Sequence, residues 1–573
     1  MEYGILAVLA FVPMLASQSG QVTDDTKTYL YLDPGRYIRQ AVSLWDPNIA
    51  LGTVTHENVG YLFPMAPFFW VCAELHLPVW VAQRLWLGTL IFAAGAGVLY
   101  LCRTINLTGP GRYVATLAFM FTPYVLQYSG RISVILMPWS GLPWMLAFVV
   151  LALRKGGWRY PALFALVVAL VSGINASSIL YVGIGPALWL PFAVLVLREA
   201  SWRQAWEVVW RIVVLVVLTS LWWVAGLQVE AAYGINILKY TESLSSTSSA
   251  STPFEGLRGL GYWFFYGRSD QTGNWTQAAV SYTQQLWLIG FTFLVPAMAF
   301  AAATVLRWRQ RSFFILLMVI GLVLAVGPNP YFQPTGIGSL FKSFMSETTA
   351  GLALRSTDRA VPLVLLALAV LLGAGVTAVA ARYPRGGLVV AGMAVIGVAV
   401  AWSPGWTGDT VVHGLTQPAR PPDYVQQAAT ALNASHPGTR VFAVPGNNFA
   451  AYRWGDTIDT VWPALLTRPF VTHEQQTMGS LPTADILEAV DTPLQEGVLD
   501  PRSLAPMSAL MSAGDILVLA TDGIREGFAE GLRADAPLQD IADRVLARHG
   551  RSNDDALVLV GRWHGRRLEA GAP

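Results

Sequence analysis

The side chains of this chain that are best suited to chemistry lie close together, directly after an apolar N-terminal stretch. They are Asp24, Asp25, Lys27, Asp33, Arg36, His56 and Glu57, with aromatic residues such as Tyr29, Tyr31 and Trp45 between them. Carboxylates can accept the proton of a hydroxyl group, cations can stabilise a phosphate, and aromatic rings can stack on sugar faces. The mixture suits a site that binds an anionic headgroup and a sugar together; the alternative is a solvated loop with surface ion pairs.

The surroundings of these residues have the composition of a membrane protein. The 573-residue chain is 54% hydrophobic and 13% charged, with a mean hydropathy of +0.47, whereas soluble proteins carry about 25% charged residues. Eleven apolar segments are predicted to cross the bilayer: 4–17, 79–102, 113–128, 134–153, 160–175, 178–197, 212–228, 285–306, 312–327, 360–381 and 386–402. The first resembles a signal peptide, but residues 17–19 make a poor cleavage site, so we expect a retained helix.

Arginine and lysine residues fix the expected orientation of these segments. They are concentrated in alternate connections, at 103–112, 154–159, 198–211, 307–311 and 382–385. The positive-inside rule makes these connections cytoplasmic, so that 18–78, 230–284, 329–359 and the tail from 404 face outward. Within the first outer segment, 61–78 is apolar but broken by prolines, which predicts an interfacial or re-entrant helix. Tryptophans at every fourth position predict an amphipathic cytoplasmic helix over 199–210.

The tail from 404 to 573 differs in character from the rest of the chain, because its charge rises and its long apolar runs disappear. Short apolar runs at 440–446, 515–522 and 556–563 predict buried strands, and 540–547 has the pattern of a helix. These features predict a small extracytoplasmic α/β domain. A polar and aromatic group in it could form an acceptor groove or only cap the domain: Asn447, Asn448, Arg453, Trp454, Asp456 and Trp462.

Several motifs resemble one family of membrane glycosyltransferases. The motifs are DDTKTYLYLDPGRYIRQAVSLWD (24–46), GYLFPMAPFF (60–69), VAQRLWLG (81–88), YSGRISVILMPW (128–139), GLRGLGYWFFYG (256–267), LRSTDRAVPL (354–363) and GDILVLATDG (514–523). Together they resemble the α-(1→3)-arabinofuranosyltransferases of arabinogalactan and lipoarabinomannan assembly, which are GT-C enzymes that use lipid-phosphate sugars. The resemblance implies a GT-C-like membrane domain over 1–403. Family members are usually longer and carry carbohydrate-binding modules, so we expect this chain to be a truncated version.

The resemblance implies an inverting enzyme of the bacterial plasma membrane. Its donor would be decaprenyl-phosphate-arabinose and its acceptor an arabinan polysaccharide. We expect Asp25 to act as the general base, with Asp24 as the alternative. Asp33 either orients the acceptor or caps a helix beside Pro34, while Lys27 and Arg36 either contact the phosphate or lie on an ordinary surface.

Charged residues at the outer ends of later segments are further candidates for substrate binding. Arg131 breaks the positive-inside pattern, so it needs an anionic partner, either a lipid phosphate or a loop acid. Arg355 or Arg359 could clamp the donor through paired hydrogen bonds, with Asp358 holding one of them in place; interfacial snorkelling is the alternative. Glu255 either faces the sugar or has a capping role. The nearby aromatic residues Tyr262, Trp263 and Tyr266 are read as interface anchors rather than as sugar platforms.

A cofactor is not expected. His56 and Glu57 could bind a divalent metal together with Asp24 and Asp25, but arginines already neutralise a lipid phosphate, so metal is not required. No GxxxxGK[ST] or GxSxG motif is present. The net charge of +2 does not indicate nucleic acid, and Cys72 and Cys102 predict neither a disulfide framework nor a zinc site.

The sequence alone is also compatible with other functions. A mannosyltransferase of the same class or a lipid-linked-sugar flippase could carry similar residues, although a flippase calls for charged or broken helices near the bilayer midplane. A scaffold for other wall enzymes is a third possibility, and no protein partner is indicated.

Overall fold

The computed structural model describes residues 1–23, 28–46, 53–54, 58–234, 238, 242–269, 273–411, 415–435, 440–443, 450–472, 516–520, 537–549 and 558–562. The chain forms two compact units. Unit 1 comprises Met1–Asp25, Trp80–Trp223 and Leu238–Thr416, and unit 2 comprises Thr26–Val79, Val224–Ile237 and Gln417–Pro573. The predicted division of the chain at 403 differs from this one, because part of the first outer segment packs with the tail in unit 2.

Helices dominate the described residues. In chain order they are α1 (Glu2–Ala16), α2 (Thr28–Leu32), α3 (Pro34–Ala41), α4 (Asn58–Tyr61), α5 (Met65–Glu74), α6 (Val79–Thr104), α7 (Gly111–Met120), α8 (Pro123–Ser129), α9 (Leu136–Lys155), α10 (Arg159–Ser172), α11 (Ala176–Leu195), α12 (Trp202–Tyr233), α13 (Leu244–Ser248), α14 (Pro253–Arg258), α15 (Gln277–Gln284), α16 (Leu286–Thr292), α17 (Leu294–Val305), α18 (Arg311–Val326), α19 (Gly336–Glu347), α20 (Thr349–Ala353), α21 (Val361–Arg382), α22 (Pro384–Ala401), α23 (Ser403–Trp406), α24 (Asp423–Ala434), α25 (Trp462–Leu465) and α26 (Leu538–His549). Short 3-10 turns cover Ser133–Ile135, Trp263–Tyr266 and Thr357–Ala360.

The strands are short. They are β1 (Gln21–Thr23), β2 (Trp45–Asp46), β3 (Thr53–Val54), β4 (Arg268–Ser269), β5 (Gly273–Asn274), β6 (Thr416–Pro418), β7 (Val441–Ala443), β8 (Ala450–Tyr452), β9 (Gly455–Ile458), β10 (Phe470–Thr472), β11 (Ile516–Ala520) and β12 (Val558–Arg562).

Seven helical segments of the described residues are long and apolar enough to cross a membrane. They are Val79–Thr104, Ser133–Lys155, Ala176–Leu195, Trp202–Tyr233, Leu286–Val305, Thr357–Arg382 and Pro384–Ala401. Each coincides with one of the predicted segments, which confirms a polytopic helical membrane protein. Three further predicted segments form the shorter apolar helices α1, α10 and α18. The segment 113–128 is divided into α7 and α8, because Thr122 begins a new helix immediately before Pro123.

The centre of unit 1 is built around α21, which packs against α7, α17, α18 and α22. Its apolar side chains are almost all buried. Gly373 of α21 lies against the backbone of Gly111 in α7, where a Cβ atom at either position would collide with a carbonyl oxygen of the other. Small residues of this kind let transmembrane helices approach closely. The tightly packed bundle provides a rigid support for the turn that precedes α21.

Helix α12 corrects the prediction of a separate surface helix over 199–210. The helix begins at Trp202 and continues without a break for 32 residues, which corresponds to about 48 Å. That length exceeds the hydrocarbon core of about 30 Å, so the helix is longer than one span needs. Trp202 and Trp206 in its first turns are exposed.

Strands of the tail form a sheet within unit 2. A four-stranded sheet has the order β10–β7–β11–β12, in which β7 is parallel to β10 and β11, and β12 is antiparallel to β11. Strands β7, β11 and β12 and helix α26 confirm the four predicted elements. Strand β10 was not predicted; Phe470 at its start is buried with Val441 and Leu466 in a small core.

Residues of the first outer segment also belong to unit 2. Helix α2 contacts α25, the Thr28 hydroxyl donates to the carbonyl of Thr457 (3.4 Å), and the Arg36 guanidinium donates to the carbonyl of Leu466. Helix α5, from the predicted interfacial segment, packs on α3. With 10 residues it is about 15 Å long, too short to cross a bilayer.

Candidate functional site

Five of the predicted site residues lie outside the described residues: Asp24, Asp25, Lys27, His56 and Glu57. Their roles stay predictions. The other predicted residues, Asp33, Arg36, Arg131, Glu255, Arg355, Asp358 and Arg359, all lie in described segments.

Asp358 lies in the turn immediately before α21 and is buried, with 3% of its surface exposed. The hydroxyl of Tyr128, at the end of α8, donates to its Oδ2 atom. Its Oδ1 atom is also buried, and no residue in the described part of the chain bonds to it. Because a buried carboxylate oxygen is costly without a donor, this atom indicates a place for a further polar group.

Arg359 is the neighbour of Asp358 and is half-buried. Its Nη1 atom donates to Asn175 Oδ1 (3.1 Å) and to the hydroxyl of Ser177. Asn175 also caps α11, since the same oxygen accepts from the backbone N–H of Ser178 (3.0 Å). Within the described ranges, the Nε and Nη2 atoms of Arg359 make no hydrogen bond. The side chain is therefore held on one edge, while its other edge is available to an anion.

Arg355 has a more enclosed position, with 5% of its surface exposed. It lies 4.0 Å from a carboxylate oxygen of Glu242 and donates to the carbonyl of Leu352 (3.0 Å). Burial lowers the pKa of Arg355, and the nearby charge of Glu242 raises it again. The guanidinium supports the turn before α21 more than it faces an open surface.

Arg131 lies over the ring of Phe264, 3.6 Å from its centroid. It lies three residues after Tyr128, and the Tyr128 ring stacks on Tyr262 at 4.6 Å. Burial raises the pKa of the Tyr262 phenol, and the charges of Arg131, Glu242, Asp358 and Arg359 also act on it. These charges therefore lie in one neighbourhood.

We call this group the arginine cluster; it comprises Arg131, Glu242, Arg355, Asp358 and Arg359. The structure thus brings together four predicted residues and adds Glu242. The sequence indicates no role for Tyr128, Asn175 or Glu242, and it predicts that Tyr262 lies at the membrane interface. The only signals available were the place of Tyr128 in the motif around Arg131 and the capping pattern of Asn175 before α11.

Glu255 belongs to a different network in unit 1. Its Oε1 atom accepts from Arg258 (2.6 Å) and its Oε2 atom from the hydroxyl of Tyr266. Arg258 also donates to Thr292 Oγ1 (2.8 Å) and to the carbonyl of Tyr282 (2.7 Å). Burial, followed by the charge of Glu255, raises the pKa of Tyr266. Both oxygens of Glu255 are occupied, which favours its structural role over contact with a sugar.

Asp33 caps helix α3 in unit 2, as one of the two interpretations predicted. Its Oδ1 atom accepts from the backbone N–H of Arg36 (2.9 Å), and Pro34 occupies the first helical position. The side chain of Arg36 is directed to the carbonyl of Leu466.

Asp33 also borders an open cleft of about 440 Å³ within unit 2. Arg39, Trp70, Glu74 and His76 line the same cleft, and 43% of the Trp70 surface is exposed. An exposed indole ring with carboxylate and guanidinium groups around it can stack on one ligand face and hydrogen-bond to several hydroxyls.

The predicted polar group of the tail is only partly described. Asn447 and Asn448 lie outside the described residues, Trp454 stacks on Tyr452 at 4.8 Å, and Trp462 packs against the small core of unit 2. Across the described ranges, no three His, Cys, Asp or Glu side chains lie together as a metal site. The suggested metal ligands are outside these ranges, so the expectation about metal stays a prediction.

Comparisons with known proteins agree on one family. A family model described as alpha-(1->3)-arabinofuranosyltransferase, N-terminal GT-C domain, matches residues 8–540. An alpha-(1->3)-arabinofuranosyltransferase of Mycobacterium tuberculosis is 28% identical over 547 residues, covering 89% of this chain and 38% of the relative. One from Mycolicibacterium smegmatis is 27% identical over 496 residues, covering 81% and 33%. The matches thus cover only 33–38% of the length of these relatives.

The fold is similar to a solved structure as well. The cryo-EM structure of arabinofuranosyltransferase AftD from Mycobacteria matches with a TM-score of 0.71 and 24% sequence identity. The match covers 91% of this chain and 35% of that one.

Proposed function

We propose a function from one premise: the chain belongs to the α-(1→3)-arabinofuranosyltransferase family, through that family's N-terminal GT-C domain. The chain transfers arabinofuranose from decaprenyl-phosphate-arabinose to a cell-wall arabinan, with inversion and with formation of an α-(1→3) branch. The observation that supports this most is the arginine cluster, in which a half-buried Arg359 and a buried Asp358 keep hydrogen-bonding capacity beside apolar spans.

The proposed reaction is a single displacement. The acceptor hydroxyl oxygen attacks the anomeric carbon of the arabinose, and the bond from that carbon to the phosphate oxygen breaks. Asp25 accepts the hydroxyl proton as general base, and the electron pair of the broken bond leaves on the lipid phosphate. Cations in a site that excludes water stabilise the departing charge. In this proposal no divalent metal takes part.

Two residues of the arginine cluster are the best candidates for contact with the phosphate. Arg131 and Arg359 are both half-buried, so a ligand can reach them, whereas Arg355 is enclosed. Arg359 can offer Nε and Nη2 side by side, which is the geometry that binds two oxygens of a phosphate. Asp358 and Arg355 then hold the turn that carries Arg359, and Tyr128 holds Asp358.

The cleft in unit 2 is proposed as a place for acceptor sugar. Trp70 offers a ring face, and Arg39, Glu74 and His76 offer hydrogen-bonding groups around it. Asp33 can offer its second carboxylate oxygen, Oδ2, to the sugar while its Oδ1 atom accepts from the backbone N–H of Arg36 at the start of α3. This gives Asp33 the acceptor-orienting role together with the capping role. Lys27, His56 and Glu57 are proposed to contact substrate from the same outer segment, with Asp24 beside the base.

The proposed topology follows from the charge pattern of the connections. The chain crosses the bacterial plasma membrane eleven times, and the first outer segment and the C-terminal α/β domain are extracytoplasmic. The cluster residues then lie on the outer side, where a lipid-linked sugar is used.

A transfer assay tests this function directly. Purified protein in nanodiscs is given radiolabelled decaprenyl-phosphate-arabinose and a synthetic arabinan, and wild type is compared with Asp25→Asn and Asp24→Asn. We expect transfer by the wild type and a loss of about 100-fold or more in Asp25→Asn, the range that general bases contribute. In a parallel assay with the corresponding mannose donor, transfer of mannose but not arabinose would instead indicate a mannosyltransferase. Lipid movement across the bilayer without transfer would indicate a flippase.

A further inference from the structure

Two fully buried polar residues lie side by side near the start of the membrane-spanning helix α6. Gln83 and Arg84 both have 0% of their surface exposed. A buried arginine must be hydrogen-bonded, and an ionisable residue within a transmembrane helix is rare enough to indicate a function. The hydrogen-bond partners of these two side chains indicate their role.

Gln83 holds the backbone of one residue, Thr23. The Oε1 atom of Gln83 accepts from the Thr23 backbone N–H (3.0 Å), and its Nε2 atom donates to the Thr23 carbonyl (3.2 Å). The side-chain amide thus binds both backbone groups of Thr23, in the way that a neighbouring strand would. Thr23 is itself fully buried, with 0% exposure, so water does not compete for these bonds.

Arg84 fixes Gln83 and the chain that leads to Thr23. Its Nη1 atom donates to Gln83 Oε1 (2.6 Å), and its Nη2 atom donates to the carbonyl of Gln21 (2.9 Å). Its Nε atom donates to the hydroxyl of Ser17 at the end of α1 (3.1 Å). The planar guanidinium makes these bonds in a fixed geometry. Side chains of α6 therefore hydrogen-bond to the strand Gln21–Thr23 at the carbonyl of Gln21 and at both backbone groups of Thr23.

These bonds matter because the strand directly precedes the predicted catalytic residues in the sequence. Thr23 is followed directly by Asp24 and Asp25. Chain connectivity alone keeps the Asp25 Cα atom within about 7 Å of the Thr23 Cα atom. The bonds to Thr23 therefore fix the point from which the chain continues into Asp24 and Asp25.

We propose that Gln83 and Arg84 are positioning residues: they hold Thr23, which directly precedes the acid pair Asp24 and Asp25 in the sequence, and sugar transfer depends on that hold. The inference rests on the proposed function of Asp25. It assigns these residues no contact with substrate. A simple anchor for helix α1 would make the same bond to Ser17, but it would not require the paired bonds to Thr23.

The test uses variants of Gln83 in the full chain in nanodiscs. Gln83→Met keeps the length of the side chain and removes both bonds to Thr23, while Gln83→Glu keeps an acceptor for the Thr23 N–H and for Arg84. The matched control is Trp86→Phe, which removes a buried hydrogen bond from the same helix, one made to Ser133 Oγ (3.1 Å) instead of to Thr23. Each variant is measured for kcat, for KM of the acceptor, for the dissociation constant of decaprenyl phosphate and for Tm.

For Gln83→Met we expect kcat to fall about 10- to 100-fold, the effect of a misplaced catalytic group, with unchanged affinity for decaprenyl phosphate. Gln83→Glu should recover part of kcat, and Trp86→Phe should lower Tm without a comparable loss of kcat. An unchanged kcat in Gln83→Met, or an equal loss in Trp86→Phe, would overturn the inference.

Hydrogen exchange separates this inference from the proposed function. The Thr23 amide should exchange slowly in the wild type and faster in Gln83→Met, with Trp86→Phe unchanged. If the wild type shows no transfer but this difference is present, the proposed function fails while the hold on Thr23 stands. Equal exchange in wild type and Gln83→Met would overturn the inference whatever the transfer assay shows.

Discussion

Two networks in unit 1 are built from the same kinds of group. In each, a carboxylate accepts from a tyrosine hydroxyl and lies beside an arginine: Tyr266 with Glu255 in one, and Tyr128 with Asp358 in the other. Around Glu255, both carboxylate oxygens and all the groups of Arg258 that face them are bonded. Around Asp358, one buried carboxylate oxygen is left over.

The difference shows how a structural network can be told from a binding site. A buried polar network that is fully satisfied stabilises one conformation. One that keeps buried capacity is costly unless a ligand or water completes it. By this criterion we assign Glu255 to the fold and propose that the arginine cluster binds substrate.

The largest expected effect is on stability, in the Glu255 network. Arg258→Ala should lower the free energy of unfolding by about 3 kcal/mol, because it removes a buried guanidinium that bonds to Glu255, to Thr292 and to the carbonyl of Tyr282. Thermal unfolding in detergent measures the change, with the milder Glu255→Gln as its matched variant. The folded fraction should bind decaprenyl phosphate normally; a selective loss of lipid binding would place this network in the site.

Arg359→Ala should have the next largest effect, and on binding rather than on folding. A hydrogen bond to a charged group contributes about 1.5–3 kcal/mol, so we expect the dissociation constant for decaprenyl phosphate to rise about 10- to 100-fold. Arg359→Lys keeps the charge but not the paired donors and should lie between the two. Unchanged lipid affinity in Arg359→Ala would remove this residue from the donor site.

Tyr128→Phe should give a smaller change, and it should affect both thermal stability and lipid affinity. The hydroxyl lost is the donor to Asp358, and a buried polar group without its partner costs about 1–2 kcal/mol. We expect a modest fall in Tm with a severalfold loss of lipid affinity. Tyr262→Phe, which keeps the stacking ring, serves as the control. A full retention of both quantities would show that Asp358 does not depend on Tyr128.

Chelation should have the smallest effect of all. Since cationic side chains are proposed to stabilise the leaving phosphate, transfer should continue in EDTA at the wild-type rate. Complete loss of transfer, restored by one divalent metal, would mean that His56, Glu57 and the neighbouring acids bind that metal.

The fold was predictable from the sequence where length and apolarity decide it. Segments such as 79–102 and 360–381 became spans because few other environments suit such runs. The break within 113–128 was harder to predict, since it depends on how Thr122 caps α8 before Pro123. The continuity of α12 was missed because periodic tryptophans look the same in a surface helix and in the end of a long span.

The candidate site was predictable only in part. Charge beside a span identified Arg131, Arg355, Asp358 and Arg359, and the structure places them in one neighbourhood. Sequence could not separate these from Glu255, because the difference lies in whether each polar atom finds a partner in the fold. Nor could the sequence assign a role to Gln83 or Arg84, because their hydrogen-bond partners lie in a strand that is distant in sequence.

The central proposal is that the lipid phosphate binds at the arginine cluster. The most direct measurement is equilibrium binding of radiolabelled decaprenyl phosphate to Arg131→Gln/Arg359→Gln in nanodiscs. The matched control is Arg154→Gln/Arg309→Gln, which removes two arginines that pair with Glu199 at connections predicted to be cytoplasmic. We expect affinity to fall at least about tenfold in the first double variant and to stay at the wild-type value in the second. Equal affinity in all three proteins, or an equal loss in both variants, would contradict the account.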